Sequence, residues 1–185
     1  QFNVSGAMHF GHAISTHEAR LEGDYFTAGD DLMTSGGSGF LGMSYFTSAT
    51  FYRYVSINVT EFLRYMGKAD CIKTIETLVY ALLCAVPGAR RSGMAAGGAW
   101  DYGMAVIRNQ GQPITMDYAF DEAIRAKNGS GFSKPSIAAL KEYARVVRKK
   151  IPARMYGEIK TVELDGKTDA DAFISGILST VRKSI

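Results

Sequence analysis

The apolar positions along the chain change period several times, and each change marks an element. Ile72, Ile75, Val79, Leu82 and Val86 recur at steps of three and four, which places them on one face of a 3.6-residue helix. This predicts a helix over 70–86, stopped by Pro87-Gly88. Ile137, Leu140, Ala144 and Val147 predict another over 133–151, with Ser133 as its cap and Pro135 in the first turn, where an amide proton is dispensable. A third helix is expected over 168–183, capped by Thr168. Its acids (Asp169, Asp171) come first and its bases (Arg182, Lys183) last, as the helix dipole favours. A short helix is expected over 117–127. Strands are expected over 6–17, 99–108 and 154–164. The aromatic and β-branched run 45–59, with bulk on both alternating faces, reads as a central strand. Strands and helices do not alternate regularly, so the class is α+β.

Residues 18–44 break these patterns. The segment 34–39 reads Thr-Ser-Gly-Gly-Ser-Gly, too rich in glycine for a helix or a central strand. Yet Tyr25, Phe26, Phe40 and Leu41 flank it. Apolar side chains on an excursion suit contact with a partner. Such side chains can stack on nucleic-acid bases or part them without reading sequence.

Composition narrows the class only modestly. The 185 residues are 46% hydrophobic with a net charge of +3, which permits a polyanionic partner without requiring one. No apolar run reaches membrane-spanning length, and no secretory signal opens the chain. Both cysteines, Cys71 and Cys84, fall in one expected helix about 20 Å apart, too far to pair. They are expected to be buried thiols of a cytoplasmic protein.

Four groups of residues could carry chemistry. His12 and His17, with Asp30 and Asp31, could suggest a metal-dependent nuclease. Residues five apart, however, point to opposite sides of a strand, so each histidine reads as structural and no metal is expected. The loop Gly88-Ala89-Arg90-Arg91-Ser92-Gly93 lacks the ending of a P-loop and follows a helix instead of opening one. Its two arginines could fork onto phosphates or simply be solvated. Lys141, Arg145, Arg148 and Lys149 share a helix face, which reads as a solvated surface before it reads as an RNA contact. The apolar residues of 18–44 could pack on the body or act as a wedge. Residue patterns alone do not separate an RNA binder from an enzyme.

A resemblance goes further. Gly11-His12-Ala13-Ile14-Ser15-Thr16-His17, the run Asp24-Tyr25-Phe26-Thr27-Ala28-Gly29-Asp30-Asp31-Leu32, Leu41-Gly42, Phe51-Tyr52-Arg53-Tyr54 and Val86-Pro87-Gly88-Ala89-Arg90 resemble, in order and spacing, the CasC family. Its members are backbone subunits of the type I-E CRISPR Cascade surveillance complex. The resemblance implies a modified RRM-like (ferredoxin-like) palm over 1–17 and 45–185, with a projecting β-rich thumb over 18–44. Because family members are about twice as long, it also implies a further N-terminal part of the fold. The implied function is to polymerise along a CRISPR RNA and displace nucleotides periodically with the thumb. The implied RNA-binding residues are Tyr25, Phe26, Thr27, Leu41, Arg90, Arg91 and Ser92. The implied partners are the CRISPR RNA, the target DNA strand paired to it, further copies of the chain and other Cascade subunits. No cofactor, membrane or catalysis is implied. A related type III family cuts target RNA with a thumb aspartate, which makes Asp30 and Asp31 the alternative catalytic residues.

Overall fold

The computed structural model describes residues 6–29, 38–85, 98–126, 129 and 131–185. In chain order the elements are β1 (Met8–Phe10), β2 (Ile14–Ser15), β3 (Glu22–Gly29), β4 (Ser38–Phe46), β5 (Phe51–Tyr52), β6 (Val55–Ile57), α1 (Val59–Tyr65), α2 (Lys68–Cys84), β7 (Gly103–Arg108), a 3-10 turn (Asp117–Phe120), α3 (Ser133–Lys150), α4 (Ala153–Tyr156), β8 (Glu158–Leu164) and α5 (Ala170–Ser184). The α+β expectation holds. Among the described residues each sheet has two antiparallel strands: β1 with β6, β2 with β5, β3 with β4, and β7 with β8.

Three of these pairs form one interrupted ribbon. Met8 pairs with Ile57 and Phe10 with Val55. Ile14 then pairs with Tyr52 and Ser15 with Phe51. Farther out, Glu22 pairs with Phe46 and the ladder runs on to Gly29 and Ser38. Between the first two pairs, residues 11–13 on one side face only residues 53–54 on the other, which is a β-bulge. Gly11 sits tightly there: its amide donates to the Tyr54 carbonyl at 2.8 Å, and an added Cβ would lie 3.3 Å from Tyr54 Cβ.

This corrects the expected unbroken strands 6–17 and 45–59. Both are cut by irregular residues, and β4 ends at Phe46 before two short strands follow. The last expected strand residue, Val59, instead opens α1. The Asn58 side chain accepts from the Glu61 amide at 3.3 Å, so a helix cap outweighs the β-branched run at this point. α1 then buries Phe62.

β7 and β8 lie between two apolar clusters. Ala105, Ile107, Val162 and Leu164 pack against a core built from Cys71, Ile72, Ile75 and Val79 of α2 and from Phe173, Ile174, Ile177, Leu178 and Val181 of α5. Met104 and Val106 point the other way, to a core of Met116, Ala144, Val147 and Tyr156. This is the period-two alternation of a strand covered on both faces. α5 approaches closely at Gly176, where a Cβ would lie 2.9 Å from Val162 Cγ1.

Several boundaries differ from expectation. α2 starts at Lys68 and α3 starts at Ser133, but Phe132 occupies the α3 cap position without a side-chain bond. α5 is capped by Asp169, whose side chain accepts from Ala172; Thr168 instead gives its amide to Asp165. Residues 154–156 belong to α4, which Gly157 ends at φ +61, so the strand expected over 154–164 begins at Glu158. The helix expected over 117–127 is only a 3-10 turn. Cys71 is buried and Cys84 exposed, both free. This corrects the expectation of two buried thiols, because Cys84 lies off the apolar stripe of α2.

Candidate nucleic-acid interface

β3 and β4 form a hairpin that leaves large apolar side chains in solvent. The register sorts them by face, because directly paired residues point the same way and successive residues alternate. Tyr25 pairs with Met43, Thr27 with Leu41, and Gly23 with Tyr45; these form one face. Phe26 pairs with Gly42, Asp24 with Ser44, and Glu22 with Phe46; these form the other. Tyr25 is 67% exposed and Leu41 68%, and Met43 and Tyr45 are exposed beside them. The Tyr45 ring lies across Gly23, with Cε1 3.4 Å from where a Cβ would be.

The structure therefore brings together three of the expected contact residues, Tyr25, Thr27 and Leu41, and sets the fourth on the opposite face. Phe26 is 48% exposed and shares its side with Phe46. Met43 and Tyr45 belong to the first face but were not anticipated. The signal was present in the period-two spacing of Leu41, Met43 and Tyr45; the expectation of a separate strand starting at residue 45 hid it. Arg90, Arg91 and Ser92, and the alternative pair Asp30 and Asp31, lie outside the described residues, as does the excursion's tip.

The hairpin is acidic. From Leu21 to Tyr52 the sequence has no lysine or arginine, but it has Glu22, Asp24, Asp30 and Asp31. Such an arm offers phosphates no cation, whereas its exposed rings are of the kind that stack on base faces. Any phosphate grip must come from elsewhere on the protein.

The hairpin springs from a closed neck. The Thr16 amide donates to the Thr50 carbonyl at 2.9 Å, and the Thr50 amide donates to His17 Nε2 at 3.1 Å. His17 Nδ1 lies 2.8 Å from the Glu18 carbonyl, and its ring stacks on Phe132 with centroids 3.7 Å apart. Thr16, 2% exposed, receives a 2.8 Å bond from the Ser136 hydroxyl of α3, and its carbonyl accepts from the Ile124 amide at 2.9 Å. His17 is thus a structural residue, in keeping with its expected role. His12 is exposed in the bulge. Among the described residues no three His, Cys, Asp or Glu side chains are grouped to hold a metal ion.

Nearby, Tyr52 anchors β5 to the body. Its hydroxyl accepts from the Met116 amide at 3.0 Å, and its ring tilts against Phe120. Burial pushes its pKa up to about 12, the Met116 amide opposing the shift.

The basic face of α3 is largely neutralised. Lys141 pairs with Glu163 of β8 at 2.5 Å, Arg145 with Glu142 at 2.5 Å, and Arg148 with Glu158 at 2.7 Å. Lys141 also sits over the Tyr102 ring, 4.8 Å from its centroid. The Lys141 and Arg148 pairs join α3 to β8, whereas the Arg145 pair lies within α3 itself.

Comparison with known proteins supplies a family. The family described as CT1975-like protein matches residues 1–174. A solved structure titled "CRISPR RNA-guided surveillance complex" contains a similar chain at 25% identity and a TM-score of 0.80, covering 95% of this chain and 71% of that one. A second, titled "CRISPR RNA-guided surveillance complex, pre-nicking", is similar at 26% identity and a TM-score of 0.79, covering 95% of this chain and 50% of that one. No curated protein matches the sequence.

Proposed function

The chain belongs to the CT1975-like protein family, and on that premise we propose that it is an RNA-binding backbone subunit of a CRISPR RNA-guided surveillance complex. Copies of it stack along the guide RNA, in the manner of a type I-E complex, and associate with other subunits of the assembly in the cytoplasm. Residues 1–17 and those from 47 on belong to the palm; the thumb, expected over 18–44, extends to Phe46 because β4 does. The role is architectural, not catalytic: the protein holds the guide so that a target DNA strand can pair with it.

One observation carries this reading. An acidic hairpin without a single basic residue exposes Tyr25, Leu41, Met43 and Tyr45 on one face and is held at its neck by buried hydrogen bonds. An arm of that chemistry inserts beside bases and displaces them, while its charge keeps it off phosphates. The residues that complete the RNA path in this proposal are Arg90, Arg91 and Ser92, which can bind phosphates of any sequence.

The test is the nucleic acid that co-purifies with the protein expressed beside its genomic neighbours. Nuclease digestion and sequencing should give a discrete RNA with ends derived from a CRISPR repeat. An intact complex without nucleic acid would overturn the proposal.

A further inference from the structure

The two faces of β8 differ in charge balance, and a bulge is the cause. Ile107 pairs with Lys160 but Arg108 with Glu158, so Ile159 is the extra residue. Past this bulge the side chains exchange faces. Glu158 turns to α3 and meets Arg148 at 2.7 Å, as Glu163 meets Lys141. Lys160 stays in phase with Val162 and Leu164, on the side of α5. The acids of β8 therefore all serve α3, and its lysine is left facing the C-terminal turns of α5.

A groove lies there, lined by Asn109, Ile159, Lys160, Ser179, Lys183 and Ser184 among others. Among the described residues it contains two ammonium groups, an amide and hydroxyls, but no carboxylate. Among the described residues neither lysine has an ion-pair partner, whereas three of the cations on α3 do. Lys183 in the last turn of α5 is also favoured there by the helix dipole. That does not account for Lys160, which is delivered from a different element to the same groove.

We infer that this groove binds the phosphodiester backbone of a nucleic-acid strand, through Lys160 and Lys183, as a second contact separate from the hairpin. Two point charges without an aromatic platform or a base-reading donor pattern give sequence-independent contact. The choice of a nucleic acid over an acidic protein rests on the proposed function; the groove's charge imbalance does not.

The experiment uses the complex as purified and a fluorescein-labelled single-stranded oligonucleotide without complementarity to any bound guide. Its affinity is measured against salt concentration by anisotropy. The double variant Lys160→Gln/Lys183→Gln should weaken binding and reduce the slope of log affinity against log salt by about 1 to 2, the loss of two phosphate contacts. Lys160→Arg/Lys183→Arg should retain the slope. The guide-RNA content of each preparation is measured alongside, so that a complex without guide RNA, which would overturn the proposed function, is told apart from a groove that does not bind. An unchanged slope in the glutamine variant would overturn the inference, as would an equal loss in the arginine variant.

Discussion

The Thr50 amide donates a hydrogen bond to Nε2 of His17 across the base of the hairpin, 33 residues away along the chain. Because Nε2 accepts, Nδ1 carries the proton, and it lies 2.8 Å from the Glu18 carbonyl as its donor. One imidazole thus satisfies backbone groups on both sides of the neck while its face stacks on Phe132. His17→Ala leaves the Thr50 amide without its partner and should cost about 1 to 3 kcal/mol of unfolding free energy. Urea denaturation measures this directly, and a variant as stable as its parent would show that the imidazole does not hold the neck.

The register of the hairpin makes a prediction about faces. Tyr25 and Leu41 lie on one side and Phe26 on the other. Tyr25→Ala/Leu41→Ala should weaken pairing of a target strand with the bound guide without lowering the melting temperature, because both residues are exposed. Binding of a complementary strand, measured alongside guide content, checks it. If Phe26→Ala alone reproduces the whole effect, the working face is the opposite one.

α5 lies so close to β8 that an added methyl has no room. Gly176→Ala would place its Cβ 2.9 Å from Val162 Cγ1, and valine cannot readily turn away. Overpacking of this kind costs about 1 to 3 kcal/mol. Val162→Ala should recover part of the loss when combined with it, an outcome a double-mutant cycle in urea can establish. Additive costs would mean that the two side chains do not compete for the same space.

Tyr52 should make the protein sensitive to alkali. Its folded pKa is raised from 10.0 to about 12, chiefly by burial, so the folded state prefers the neutral phenol. The stability this gives is fully present below pH 10 and is lost as pH rises from 10 to about 12, where the unfolded chain releases the proton first. Denaturation midpoints across this range, with phenolate absorbance followed in parallel, should show a fall that Tyr52→Phe reduces. A parallel fall in both proteins would assign the alkaline loss to other groups.

Carboxylates act at the other end of the scale. Amides of Lys167 and Thr168 hold the Asp165 carboxyl below its ordinary value, and Arg145 does the same for Glu142. These contributions are present above the ordinary carboxylate range and are lost as pH falls through the lowered values. Both groups are surface groups, so the effect should be a gradual loss of stability and not a sharp transition.

The sequence by itself determined the helices that bury a periodic stripe. Ile72, Ile75 and Val79 repeat at helical spacing, and the same side chains form the core; a long amphipathic period needs no distant partner to be read. It also marked 18–44 as an excursion carrying apolar side chains beside a glycine tract, but whether these pack on the body or face solvent was decided by the structure, which leaves Tyr25, Phe26 and Leu41 exposed. Only the tertiary structure decided how strands begin and end. The Gly11–Tyr54 bulge, the break before Phe51 and the start of α1 at Val59 depend on which backbone groups meet across the ribbon, and no single strand encodes its partner's register. The same holds for the faces of the candidate site. Phe26 and Thr27 are neighbours in sequence yet point to opposite sides, and Lys160 keeps its charge exposed because a one-residue bulge sends Glu158 to the other face. Strand pairing has a period of two, so a shift of one residue moves every side chain beyond it to the opposite face, and that shift is set by contacts between segments far apart in the chain.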